Sequence, residues 1–418
     1  MAKLGRYSIG TGDRFGREGE AQIAAIRTIA EAGVQVDIVW NKSNREHLTI
    51  GTGPSDQRKA ADASIKATGW KGSYFVDADH ISLKTVDRFI EPCDFFTIDV
   101  ADFIGMAAAP EAVAAFASRR AKLVGDHHVP GLSAPLAVEE TLLAVTASRY
   151  LAAVAEAGAV YRRILETKAG KPFVVEVSMD ETADPQSPAE LLVILAALAD
   201  EGVPVDTVAP KFSGRFNKGV DYVGNVAAFL AEFRADVCVA SYAAASFGLP
   251  LTLKLSVHSG SDKFSLYEGI GRIVRELGAG LHLKTAGTTW LEELVGLAEA
   301  GGAGLALAKE VYRKAYGRFD ELIGPYAAVV DIDRKALPGP DEVDRWTGAQ
   351  YATSLRHVRT EPRYDKNFRQ LLHVGYKVAA EMGPRYLGAL AADRAHVERN
   401  VTENLLDRHL KPLFLGGR

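Results

Sequence analysis

The sequence predicts a (β/α)8 TIM-type barrel with a helical insertion and a helical C-terminal extension. Two observations lead there. Strand-like apolar runs alternate with amphipathic helical stretches in eight units between about residues 6 and 300, which favours a closed barrel over an open doubly wound sheet. These runs also end in polar and charged residues at one edge only: SIGTGDRFG from Ser8, YFVDADHIS from Tyr74, FFTIDVADF from Phe95, FVVEVSMDE from Phe173, LTLKLSVHSGSDKF from Leu251 and LHLKTAGTTW from Leu281. A barrel builds its active site from the carboxyl ends of several strands, so the chain reads as an enzyme.

Strand one is expected at Ser8–Gly10, before a helix near Gly19–Ala32 that stops at Gly33, a helix-terminating glycine. Strand two, Val36–Trp40, opens into the polar NKSNREH and a helix from about Ser55 to Thr68. Strands three and four are Ser73–Val76 and Phe95–Ile98, followed by a helical insertion at 111–167 that GDHHVPGLSAP interrupts from Gly125. Strand five, Phe173–Val177, precedes the helix of PAELLVILAALADEG. Strands six to eight are Thr207–Ala209, Leu251–Val257 and Leu281–Lys284. Residues 1–301 thus form the barrel. Residues 302–418 show no comparable strand series and read as a helical extension packed on it.

Composition narrows the partners. Apolar residues at 47% and charged ones at 24% are ordinary for a globular chain of 418 residues. A net charge of -4 leaves no basic footprint for nucleic acid or an acidic membrane surface, so a small molecule is the expected partner. Cys93 and Cys238 are the only cysteines and form no CxxC, which points to a reducing compartment. The start MAKLGRYSIG has no apolar signal core, and no run of about 18 apolar residues appears. A cytoplasmic protein is expected, with homo-oligomerisation left open.

The richest strand end is DADH. Side chains alternate along an extended chain, so Asp77 and Asp79 both face the barrel axis if Phe75 does, and His80 joins them where the strand breaks. A carboxylate beside an imidazole binds a divalent metal or moves protons. The plain alternative is that Asp77 or Ser82 caps the next helix. Strand five puts Glu176 on one face with Val174 and Ser178, with Asp180 and Glu181 in the following loop. A glutamate among valines needs a metal or a paired charge, and Lys254 or Lys284 could supply the latter structurally. Strand seven aligns Lys254, Ser256 and His258, then adds SGSDKF, where Ser261, Lys263 and backbone N–H groups could hold an anion.

The loop PKFSGRFNKGVDY after strand six brings Lys211, Arg215, Asn217 and Lys218 together, suited to an anionic substrate or simply to solvent. Lys284 and Thr285 end strand eight, with Thr288 near the next helix start, where a helix cap is the plain alternative; Asp13 and Arg14 follow strand one and could orient a polar substrate. GTG at Gly10–Gly12 lacks the dinucleotide fingerprint, and neither HExxH nor GxSxG is present. His127 and His128 lie in the insertion, away from any strand end.

The runs EVSMDETADPQSPAELLVILAALADEGVPVDTVAPKFSGRFNKGVDYVG, LKLSVHSGSDKFS, LKTAGTTWLEELVGLAEAGG, NFRQLLHVGYKVAAEMG and NVTENLLDRHLKPLF resemble the tagaturonate epimerase family. That resemblance implies interconversion of D-tagaturonate and D-fructuronate, both hexuronates, with a divalent metal. It also implies that Arg369, His373 and Lys377, in matching C-terminal runs, reach the site.

The two sugar acids differ at a carbon one bond beyond the one alpha to the ketone, so enolisation cannot acidify its C–H. The β-hydroxy ketone arrangement favours retro-aldol cleavage and re-addition instead, with a metal polarising the ketone. The expected metal ligands are His80 and His258, with Glu176 as third, and the ion is Zn, Mn, Co or Ni. Asp79 is the expected base and Glu176 or Asp180 its opposite partner. Substrate contacts are expected from Arg14, Asp180, Lys211, Arg215, Lys218, Ser261, Lys263, Lys284 and Thr285. A class II-type metal-dependent aldolase acting on a sugar acid is the first alternative. A non-catalytic sugar-binding barrel is the second.

Overall fold

Short segments rich in β-branched and aromatic residues form eight parallel strands that close into a barrel in the computed structural model, which describes residues 3–285 and 287–416. They are β1 (Tyr7–Thr11), β2 (Val36–Ser43), β3 (Tyr74–Ile81), β4 (Phe95–Asp99), β5 (Val174–Ser178), β6 (Thr207–Ala209), β7 (Lys254–His258) and β8 (Leu281–Thr285). Each pairs with its neighbour in order, and β1 closes the ring on β8, with Tyr7 opposite Leu281 and Thr11 opposite Thr285. The expected strands are all present. β3 continues past Val76 to Ile81, and β7 starts later than expected, at Lys254, because a turn from Leu253 N–H to the Pro250 carbonyl precedes it.

The barrel interior is layered. Toward the amino ends, Leu4, Val39, Phe75, Phe95 and Val174 pack as a separate apolar cluster. His282 lies against Phe95, with 5.2 Å between ring centres, and shares a 2.9 Å hydrogen bond with Ser8. Beyond this layer the inward residues are polar. Gly10 belongs to it for a steric reason: a Cβ there would stand 2.8 Å from Cγ of Lys284, whose stem crosses that space.

The insertion comprises a helix at Pro110–Arg119, an antiparallel ribbon pairing Gly125–His127 with Leu136–Val138, and a helix at Glu140–Lys168. Among the described residues this last helix is the one long and apolar enough to cross a membrane. Its Leu143, Tyr150, Val154, Val160 and Ile164 are instead buried in the barrel's shell. His127 bonds to the Leu123 carbonyl (2.7 Å) and Tyr242 (3.3 Å), so the ribbon packs on outer helices away from the strand ends.

The shell is completed in an unusual way. The helix after β8, Thr288–Ala300, packs with the extension: Trp290, Leu294 and Val295 share a core with Tyr312, Phe368 and Tyr386. The outer position beside β1 and β8 is filled by Asn404–Leu415, wound as a π-helix. Its Leu405, Leu410, Leu413 and Phe414 join the barrel core, and the Phe414 ring lies 4.7 Å from that of Tyr7. Extension and barrel therefore interlock.

Candidate active site

The carboxyl ends of β3, β4, β5, β7 and β8 converge on Lys284. Its ammonium lies 2.8 Å from Asp77, 2.7 Å from Asp79 and 3.2 Å from Glu176, and donates to Thr97 (2.6 Å). Period-two alternation explains the set: each side chain sits on the inward face of its strand. Burial opposes the Lys284 charge, but the fields of Asp77, Asp79 and Glu176 outweigh it and keep the amine protonated far above the ordinary range. Burial also works against the carboxylates. Lys284 and His80 nevertheless hold Asp79 far below its usual value, and Lys284 and His258 do the same for Glu176. Asp77, deepest in the group, is pushed by burial up to about 7.

Immediately above lie two imidazoles and one carboxylate. Nδ1 of His258 is 3.1 Å and Nε2 of His80 is 3.5 Å from the same oxygen of Asp180. One ligand atom from each residue lies within 4.8 Å of the other two. His80 gets there through a backbone irregularity. The β3–β4 register shifts between Ala78 and Ile81, and His80 adopts φ of 52°, rare for a residue with a side chain. The strand was expected to break before His80; it bulges and continues.

Each imidazole is oriented through its other nitrogen: Nδ1 of His80 on Asp79 (3.0 Å) and Nε2 of His258 on Glu176 (2.8 Å). Ser178 donates to Asp180. His80 Nε2 and His258 Nδ1 are buried without a well-directed hydrogen bond among the described residues. Two orphaned ring nitrogens aimed at one carboxylate oxygen, each ring braced from behind by a carboxylate, form a donor set suited to a divalent cation with open positions for substrate. Charge points the same way, since three buried carboxylates and the half-buried Asp180 gather around a single ammonium. Against burial, Asp180 and Glu176 raise His258 to about 9. The carboxylate that meets the two imidazoles is thus Asp180, expected as a substrate contact or as the acid–base partner of Asp79. Glu176, expected as a ligand, lies one layer down with its oxygens on Thr207 (2.7 Å), His258 and Lys284.

A cavity of about 740 Å³ opens above this floor, with Asp79, His80, Asp180, His258 and Lys284 at its base. Arg14, Lys211, Arg215 and Lys218 line it as the sequence suggested. Three expected substrate contacts do not. Lys263 is fully buried and its ammonium is taken up by Ser261 Oγ (3.0 Å) and the Ser261 and Asp262 carbonyls. Ser261 Oγ also accepts from Gly219 N–H, and Thr285 is paired with Thr288 (2.9 Å). From the C-terminal runs, His373 reaches the cavity. Arg369 is instead buried on Asp262 (2.7 Å), and Lys377 pairs at the surface with Glu321. Missed from sequence were Asn41 within β2, Arg45 and Glu46 just after it, and Tyr326 and Val329 from the extension. The NKSNREH burst signalled the first group; no strand end marks the second.

A family model for tagaturonate epimerase matches residues 1–383. The tagaturonate/fructuronate epimerase of Thermotoga maritima is 28% identical over 407 residues, covering 92% of this chain and 81% of its own. Crystal structures of a fructuronate-tagaturonate epimerase from Cohnella laeviribosi share the fold at 23% identity. A one-glycerol complex has a TM-score of 0.80 over 98% of this chain and 81% of that one; the native form has 0.80 over 99% and 82%.

Proposed function

The chain belongs to the tagaturonate epimerase family, and from that premise we propose that it interconverts D-tagaturonate and D-fructuronate by metal-dependent carbon–carbon cleavage and re-addition. The observation that carries the metal is the convergence of His80, Asp180 and His258 with unpartnered nitrogens over an excess of buried carboxylates. His80, Asp180 and His258 would hold a Zn²⁺, Mn²⁺, Co²⁺ or Ni²⁺ ion, which would supply Lewis acidity toward the substrate ketone.

The chain's own groups handle the protons. Asp79 faces the cavity beside His80 and Lys284, and by this placement is the group to take the proton of the inverting carbon's hydroxyl. Lys284 also faces the cavity and stays protonated, so its ammonium steadies the negative charge that builds on the substrate oxygens. Glu176 has no exposed surface and acts through Lys284 and His258 as a positioning residue. The free, buried cysteines Cys93 and Cys238 accord with a cytoplasmic setting.

Chelation tests the proposal. Protein stripped with EDTA is expected to lose turnover of D-fructuronate and to regain it with a divalent transition metal but not with NAD. Full activity in metal-free protein would overturn the reading.

A further inference from the structure

We propose that Lys218 and His373 form an anchor for the substrate carboxylate that retains the aldehyde fragment while the carbon chain is cleaved, so that the protein epimerises its substrate instead of releasing two products. This rests on the cleavage and re-addition reading.

The anchor is a cationic patch in the cavity wall that lacks its anion. The Lys218 ammonium lies 5.6 Å over the Tyr326 ring but makes no ion pair or hydrogen bond among the described residues, although its backbone is pinned on both sides. Its N–H donates to the Val329 carbonyl (2.8 Å), and its carbonyl accepts from Gln370 (2.9 Å). His373 is buried with both ring nitrogens unpartnered among the described residues. Two glycines bring these groups to one strip of wall. A Cβ on Gly287 would fall 2.0 Å from Nε2 of His373, and one on Gly260 would fall 4.0 Å from the Lys218 ammonium. Gly287 N–H bonds the Gly260 carbonyl (3.1 Å), so the two glycines are joined.

The neighbouring charges do not fill the gap. Arg14 is paired with Glu46 and stacked 3.8 Å over Tyr376, Arg45 lies 4.9 Å over Tyr326, and Glu181 stands at the exposed rim. Burial lowers the Lys218 pKa. Burial, with Lys218, Arg14, Arg369 and Lys263 nearby, keeps His373 neutral. A carboxylate docked here supplies the missing counter-charge to Lys218 and an acceptor for an N–H of His373.

The chemistry gives the anchor its consequence. In ketose numbering the ketone is C2 and the inverting centre C4. Asp79 takes the C4 hydroxyl proton, the C3–C4 bond breaks, and its electron pair passes to C3 and the C2 oxygen. The products are the enediolate of dihydroxyacetone and an aldehyde acid made of C4 to C6. The carboxylate is on the aldehyde half. Held at C6, that half turns about C4–C5 and presents its other face. C3 then re-adds, and the new alkoxide recovers the proton from Asp79. Nothing is oxidised and no atom is lost. Unanchored, the aldehyde half leaves and the reaction ends as an aldol cleavage.

The test uses the metal-loaded protein with Lys218→Met, Lys218→Arg and His373→Gln. For Lys218→Met the KM for D-fructuronate and the ratio of free dihydroxyacetone to epimer are both expected to rise about 10–100-fold, the loss of one charge-assisted contact. His373→Gln should shift both in the same direction, and Lys218→Arg should recover most of the effect. If neither Lys218→Met nor His373→Gln raises the leak, or if Lys218→Arg recovers none of it, the anchor is overturned. The underlying reading fails separately, in the wild type, if D-fructuronate deuterated at C4 loses its label during epimerisation; that outcome overturns both.

Discussion

Two lysines project into the same barrel, Lys254 near its amino end and Lys284 near its carboxyl end, and burial has opposite outcomes for them. Lys254 touches no carboxylate: its ammonium rests on the carbonyls of Gly5 and Arg6, while Asp37 and Asp206 are engaged with the N–H groups of Gly5 and Val175. Burial therefore prevails and lowers its pKa to about 7. Lys284 is as deeply buried but in contact with three carboxylates, and its charge is locked in. A barrel interior tolerates a permanent charge only where counter-charges meet it directly. One lysine plugs the base of the cylinder, and the other organises the acids at its mouth.

Removing the lysines should separate these roles. Lys284→Met leaves Asp77, Asp79 and Glu176 facing one another. It is expected to lower kcat on D-fructuronate by about 10²–10⁴-fold and to cost roughly 3–5 kcal/mol in urea unfolding. An active, stable variant would end the contrast.

A smaller effect comes from Gly10→Ala, whose Cβ would meet the Lys284 stem at 2.8 Å. Displacing that stem should destabilise the protein by about 1–3 kcal/mol and reduce kcat without a large change in KM, as steady-state kinetics would show.

Lys254→Met should be the mildest, with kcat within about twofold of wild type. Its signature is in stability against pH. The folded pKa of about 7 lies below the ordinary 10.5, so between them the unfolded chain holds a proton that the folded chain has released. Wild-type stability should carry a component that rises with pH across that window and is lost as pH falls toward 7. The variant should lack it, as denaturation at pH 7 and pH 9 would reveal.

Much of this geometry is written in the local pattern. Alternation places Asp77, Asp79, Glu176, His258 and Lys284 inward, because side-chain period follows directly from strand conformation. His80 depends on a bulge that no residue in DADH announces. Asp180 reads as a loop charge, since the sequence does not show that Ser178 turns it back toward the imidazoles. In SGSDK the lysine looks available for an anion, yet the tight turn folds its ammonium onto its own neighbours' oxygens. Tyr326 and His373 arrive from a region without strands, so their approach to the mouth is a matter of tertiary packing alone.

The placement of Asn404–Leu415 against Tyr7 bears on how the molecule is made. During synthesis the seam between the first and last strands stays open to water until a segment encoded long after both has been translated. Contacts so distant along the chain are slow to form. The outer wall, the mouth and the charged floor therefore become usable together, late, and a barrel excised at the end of its sheet would expose the Tyr7 flank as a sticky apolar edge.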